Sequence, residues 1–239
     1  MASISRLYVD APLGPDLSVD LTREQAHYLF GVMRRRVGDR VDLFNGRDGA
    51  WSTTVVEAGK KGGCLLLEAC VQPQRDPPDV WLVFAPIKKA RTDFIVEKAA
   101  ELGAARICPV QTDHTNSERI RQDRLQAHAV EAAEQCGGTF VPPVDVLISL
   151  TRLLDDWPAD RQLLFCDEAE VGATGDFPAA RGPWAILIGP EGGFSEPERA
   201  RLKAMPQSHV ISLGPRILRA DTAAVAALTL WQQNLGDWR

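Results

Sequence analysis

The 239-residue sequence is poor in the residues that most often announce chemistry. Its four histidines are scattered, and none has the spacing of a zinc site. Five cysteines form an odd set without a C-x-x-C pair, and no secretory signal accompanies them, which implies reduced thiols in a cytoplasmic protein. No apolar run approaches the roughly 18 residues of a membrane span, so a soluble chain is expected. The dinucleotide fingerprint G-x-G-x-x-G is missing, and so is the phosphate loop G-x-x-x-x-G-K-[ST]. There is no internal repeat and no low-complexity tract. A net charge of −5 gives no global attraction for nucleic acid, so any such binding has to come from local patches.

What is present is most informative over residues 184–198, WAILIGPEGGFSEPE. The five apolar residues 184–188 suit a strand buried on both faces and are too few for a core helix. A glycine loop, residues 189–193, follows at once. Ser195 can then cap a helix, with Glu198 closing a capping box and Pro197 tolerated in the first turn. Residues 209–213 (HVISL) form a second short apolar strand, running into Gly214-Pro215 and then into a helix over 222–235, with Asp221 as the expected N-cap and Gly236 beyond its end. Two strand ends thus carry Gly-Pro loops. Loops at strand-to-helix junctions present free backbone N–H groups to a ligand.

Before residue 72 the pattern is mostly β, with strands expected over 6–9, 40–44, 52–57 and 64–69 and one helix over about 23–34. His27 falls on the apolar face of that helix and reads as a packing residue. Residues 72–79, rich in proline and charge, read as a linker. Beyond it strands and helices alternate: a strand over 80–85, a helix over 92–102, a strand over 106–110, a helix over 120–136, a strand over 162–166, and then the two loop units. That alternation predicts a parallel sheet covered on both faces. The expected division is a β domain over 1–72, a linker over 73–79 and an α/β domain over 80–239. Residues 1–75 hold 10 Lys plus Arg against 9 Asp plus Glu, leaving 17 against 23 for the remainder. Basic residues cluster locally at Arg34-Arg35-Arg36, Lys60-Lys61, Lys88-Lys89 with Arg91, and Arg119-Arg121-Arg124.

The pair IGPEGGFSEPE (188–198) and SLGPRILRADTAAVAAL (212–228) closely resembles the RsmE family of 16S ribosomal RNA uridine-N3 methyltransferases, within the SPOUT superfamily. HYLFGVMRRRVGD (27–39), KKARTDFIVEKAAELG (88–103) and HAVEAAEQCGG (128–138) agree with it, in order, over nearly the whole chain. The sequence departs from the family pattern at Gly138, where arginine is expected, and at Ala220-Asp221, where Thr-Glu is commoner; the second change shortens the carboxylate by one methylene.

The resemblance implies an α/β fold: a SPOUT-type parallel sheet with a C-terminal trefoil knot, preceded by a small PUA-like β-barrel that binds RNA. It implies S-adenosylmethionine as cofactor, 16S ribosomal RNA or the assembled small subunit as partner, a homodimer through the knotted domain, and no metal. By position, cofactor contacts fall on Leu164, Phe165 and Cys166, on Ile188, Gly189, Gly192 and Gly193, and on Leu213, Gly214, Ile217 and Leu218. A flat adenine that both donates and accepts suits an apolar slot edged by backbone groups. Arg219, at the exit of the second loop, is the first candidate for stabilising charge on the uracil, and Asp221 or Glu191 could orient it or accept the proton. Arg34, Arg35, Arg36, Lys88, Lys89 and Arg91 are the candidate RNA contacts. Cys166 is not expected to act as a nucleophile, since the ring nitrogen attacks by itself. Two other readings stay open: a SPOUT methyltransferase acting on a different nucleotide or a ribose 2′-hydroxyl, and a non-catalytic RNA-binding dimer.

Overall fold

A computed structural model describes residues 5–116, 119–168 and 182–238. The chain separates into two compact units, one made of residues 1–76 and 133–141, the other of 77–132 and 142–239.

In the first unit β1 (Ser5–Tyr8), β2 (Ser18–Asp20), β3 (Arg40–Phe44), β4 (Ala50–Ala58) and β5 (Gly63–Gln72) form one sheet in the order β1-β3-β4-β5-β2. β1 runs parallel to β3, and the other pairs are antiparallel. Three register shifts along β4 and β5 bend that pair. Alternate residues such as Val41, Leu43, Val55, Leu65 and Leu67 point into a core closed by Leu29. β2 has only three residues, too short for its alternation to stand out in the sequence.

The helix expected over 23–34 is split. Helix α1 (Arg23–Ala26) starts with a full capping box between Thr22 and Gln25 and continues as a π-helical segment, His27–Val32. Such widened turns occur frequently at functional sites. The widening changes which residues face inward, so His27 is exposed and lies against Gly31 rather than in the core. Arg34 then takes a left-handed φ of 56°.

The second unit holds β6 (Val80–Phe84), β7 (Arg106–Gln111), β8 (Ile148–Ser149), β9 (Gln162–Cys166), β10 (Trp184–Ile188) and β11 (Ser208–Ile211) in one parallel sheet, ordered β11-β9-β10-β6-β7-β8. VWLVF, QLLFC and WAILI supply its centre, and their near-continuous apolar character follows from burial on both faces. Helices α2 (Lys89–Glu101), α3 (Gln122–Cys136), α4 (Leu150–Asp155), α5 (Glu196–Ala204) and α6 (Ala220–Asn234) complete the elements of the described residues.

Three helix starts differ from expectation, α3 beginning at Gln122 rather than at 120. α2 begins at Lys89 rather than at Thr92, because Lys88 itself takes the extended N-cap conformation. α6 begins at Ala220, not at Thr222: Arg219 is its N-cap residue, at φ −68° and ψ 153°, and makes no side-chain cap. Asp221 therefore lies inside the first turn, where it complements the helix dipole and its Oδ1 accepts from the Thr222 N–H at 2.9 Å. At the other end of the pair, Gln232 of α6 is fully buried and donates to the carbonyl of Leu102 at 2.7 Å, satisfying the C-terminus of α2. Gly103, at φ +75°, lies against this amide, and a Cβ there would come within 2.9 Å of it.

Candidate active site

β6, β9, β10 and β11 all end at the same edge of the sheet, where parallel α/β sheets bind ligands. Three of those ends carry the cleft. The loop after β10 is built by local rules: Gly193 donates to the carbonyl of Pro190 at 2.9 Å, and Ser195 caps α5 in a complete capping box with Glu198. The loop after β7 braces it from the side. Ser195 Oγ donates to Asp113 at 2.5 Å, Glu198 accepts from the Asp113 N–H at 2.9 Å, and a ring nitrogen of His114 sits 2.8 Å from the Gly192 carbonyl.

The cleft is lined from the β9 end by Cys166, Asp167 and Glu168, from the β10 loop by residues 188–191, and from the β11 loop by Ile211 to Gly214 and Arg216 to Leu218. Ala220 and Ala223 of α6 close its back. Small side chains there let the helix approach without filling the space. Ile217 stands at the wall with 75% of its surface exposed, a large apolar group left uncovered by the fold. Gly214 takes φ +113°, a conformation that L side chains rarely adopt.

Of the residues proposed for a cofactor, Cys166, Ile188, Gly189, Leu213, Gly214, Ile217 and Leu218 line this cleft, and Leu164, Phe165, Gly192 and Gly193 do not. The reason is geometric. Leu164 and Phe165 lie inside a strand covered on both faces, and Phe165 packs edge-on against Phe194 with ring centroids 5.1 Å apart, so only the last residue of β9 reaches the opening. Gly192 and Gly193 turn back toward the protein: a Cβ on Gly192 would meet His114 at 3.2 Å, and one on Gly193 would collide with the Glu168 carboxylate. Gly193, at φ +64°, permits the turn.

The acidic rim went unnoticed in the sequence. Asp167 and Glu168 follow β9 directly, and α5 holds both: Arg199 donates to Asp167 at 3.1 Å and also bonds Glu168, while Lys203 lies 3.4 Å from Asp167. Carboxylates immediately after a strand that ends at the binding edge are the signal that marks them.

Beside the cleft lies a second, charged hollow lined by Lys88, Arg91, Glu191 and Arg219. Glu191 borders both spaces. Asp221 pairs with Arg91 at 3.5 Å, a partner 130 positions away that no local pattern reveals. Lys88, Lys89 and Arg91 occupy the cap and first turn of α2, which has no acidic residue and no side-chain cap. Three cations at a helix N-terminus oppose the macrodipole, an arrangement that an incoming anion relieves.

Burial pushes the Cys166 thiol up to about 12, so the group remains protonated at the cleft wall. Iodoacetamide at neutral pH is expected to alkylate the exposed Cys70 and Cys136 and to leave Cys166 unmodified, as read by peptide mass spectrometry. Alkylation of Cys166 at the rate of Cys70 would show a thiolate in the cleft.

The RNA methyltransferase domain family matches residues 74–232, and the RNA methyltransferase PUA domain family matches residues 21–68. Ribosomal RNA small subunit methyltransferase E of Mycobacterium tuberculosis is 32% identical over 211 residues, covering 82% of this chain and 79% of the relative, and that of Rickettsia conorii is 27% identical over 229 residues, covering 94% and 93%. Among solved structures, the methyltransferase E of Neisseria gonorrhoeae bound to S-adenosyl methionine superposes with a TM-score of 0.89 at 27% identity, over 99% of this chain and all of that one. A putative methyltransferase of Legionella pneumophila in complex with the bound cofactor SAM gives 0.90 at 27% identity, with the same coverage. With the family match spanning most of the chain and its cleft at the ends of β9, β10 and β11, the protein belongs to the ribosomal RNA small subunit methyltransferase E family of RNA methyltransferases.

Proposed function

We propose that this chain transfers a methyl group from S-adenosylmethionine to N3 of a uridine in 16S ribosomal RNA. The observation that carries the reading is the adjacency of an apolar, backbone-edged cleft and a cationic hollow that share Glu191. The first suits an adenosine, whose adenine would lie between the apolar side chains Ile188, Leu213, Ile217 and Leu218 while Asp167 and Glu168 accept from ribose hydroxyls or the amino group. The second suits a base with an anionic backbone.

When bound, the cofactor supplies a methyl carbon already activated by its sulfonium. The protein has to position the uracil in line, remove the imide proton and stabilise the charge that spreads onto the ring oxygens. Arg219 can donate two parallel N–H groups to a uracil oxygen. Glu191, at the shared edge, can accept the imide proton directly or through water. Asp221 fixes Arg91 beside the α2 N-terminus and leaves Arg219 free for the base. Calorimetric titration of S-adenosylmethionine, followed by mass-spectrometric mapping of 16S RNA from a deletion strain, tests the assignment. Loss of a methyl at a ribose or at another base would move the reading to a different target, and absence of cofactor binding would leave an RNA-binding dimer.

We assign RNA capture to residues 1–72, with 73–79 as linker and 80–239 as the catalytic domain. In the basic loop Arg35 donates to Ser5 Oγ at 2.7 Å, which leaves Arg34 and Arg36 for phosphate. Arg34 holds its side chain out at the cost of a left-handed backbone. Arg34→Gly is therefore expected to stabilise the protein by about 1 kcal/mol in urea denaturation. The same change should weaken RNA binding and lower its log–log salt slope by roughly 0.7 to 0.9. A destabilised variant would show that no strain resides there.

The trefoil knot is supported by the strand order, in which β10 lies between β9 and β6 and β11 lies on the far side of β9. A homodimer through this unit is supported by the exposed apolar Val210, Leu230 and Trp238, and light scattering tests it. A cytoplasmic location is supported by five free thiols and by the absence, among the described residues, of a helix long and apolar enough to cross a membrane.

A further inference from the structure

The first turn of α2 divides two hollows. Lys88 and Arg91 face the one beside Arg219, and Lys89 faces another, lined also by Arg119, Arg121, Arg124, Ile87 and Leu125. We propose that this second hollow is a phosphodiester subsite, which holds the RNA strand next to the target nucleotide while the first hollow holds the target itself. The inference rests on the proposed RNA substrate and names the surface that follows its backbone.

Charge supports the assignment. Four cations line the hollow against one carboxylate, that of Asp93, which Arg124 neutralises at 3.1 Å. Arg124 is thereby a fixed wall. Arg121 is bound only to Asp123, two residues away at the surface, and such exposed pairs are weak enough to be exchanged for a phosphate. Among the described residues no carboxylate lies within salt-bridge distance of Lys89 or Arg119. Guanidinium groups matched to phosphate oxygens in pairs favour a phosphodiester over a simple counterion.

The floor adds a second element. Ile87 and Leu125 are almost fully buried and form an apolar base under the cations, so a nucleotide can rest a base edge or sugar there while its phosphate meets the rim. Thr92 fixes that floor by bonding both the N–H and the carbonyl of Ile87 at 3.0 Å. Because Lys88 and Lys89 are consecutive, the two hollows are within the reach of adjoining nucleotides along one strand.

The test is the salt dependence of binding to fluorescein-labelled oligouridylate, measured by anisotropy for the full chain and for Arg119→Gln/Arg121→Gln. The log–log slope is expected to fall by about 1.4, at roughly 0.7 for each contact to a single strand. That corresponds to about 25-fold less affinity gained on going from 1 M to 0.1 M salt. Arg119→Lys/Arg121→Lys should restore most of the slope, and affinity for S-adenosylmethionine should stay within about twofold in calorimetry. An unchanged slope overturns the subsite. If the slope falls but the wild type transfers no methyl to ribosomal RNA, the proposed reaction fails and the subsite stands; if the wild type binds no RNA, both fail.

Discussion

Ala223→Phe is expected to lower the affinity for S-adenosylmethionine by about 100-fold or more, close to 2.8 kcal/mol, while the protein stays folded. Ala223 lies on the face of α6 that closes the cleft, half-buried rather than packed. A benzyl group there enters free space, so the overpacking penalty of a dense core is avoided. It would nevertheless take the volume that adenine needs between Ile188, Leu213 and Leu218. Ala223→Ser, which adds one atom, should bind nearly as the wild type does. Calorimetry together with thermal unfolding separates the two effects. A phenylalanine variant with unchanged affinity and unchanged melting would place the cofactor elsewhere.

The frame of that cleft was legible in the sequence because each of its parts follows a local rule. Trp184–Ile188 and Gln162–Cys166 are strands over the residues that their apolar runs delimit, and Ser195 with Glu198 caps α5 through bonds between residues three apart. Short-range chemistry determines such features, so sequence shows them. Gly192 and Gly193 illustrate the converse. A glycine in a loop signals that something passes close by, but not on which side, and here it is His114 and Glu168.

Partners brought together by the fold were illegible. The Asp221–Arg91 pair, the Gln232 amide that ends α2, and the bonds of Asp113 to Ser195 and Glu198 and of His114 to Gly192 all join positions more than 75 residues apart. Position 138 shows the same thing in the first unit. Glycine stands where the family pattern has arginine, yet the guanidinium of Arg6, from β1, donates to the Gly138 carbonyl at 2.7 Å while lying over the Phe44 ring. A guanidinium is thus present near that carbonyl, supplied by another strand, and only the folded chain reveals it. The short elements β2, β8 and α4 were missed because two to six residues are too few to display a period.

The cationic turn of α2 broke a local rule instead of obeying one. Helix starts favour acids, and Lys88, Lys89 and Arg91 reverse that preference without a capping side chain. Sequences depart from local consistency mainly where function demands it, and this turn borders both charged hollows. The arginine on the opposite wall of the first hollow is Arg219, the N-cap residue of α6, whose exposed side chain and extended backbone set it at the exit of the β11 loop. Binding and chemistry make different demands on it.

If the Arg219 guanidinium stabilises charge developing on uracil, Arg219→Ala should reduce the single-turnover rate of methyl transfer by about 10² to 10³, the range typical of losing one preorganised donor. Lysine at the same position should restore only part of the rate, since it keeps the charge and loses the planar pair of donors. Affinity for the cofactor should scarcely change, because Arg219 is absent from the lining of the apolar cleft. Affinity for RNA should fall far less than the rate, because the interaction strengthens as charge builds in the transition state. Asp221→Asn provides the contrast: it releases Arg91, the proposed contact to the substrate rather than to the transition-state charge, so it should raise KM for RNA more than it lowers kcat. A large loss of RNA affinity in Arg219→Ala, with an unchanged rate at saturating substrate, would make Arg219 a phosphate contact and leave the developing charge to Arg91 and the N-terminus of α2.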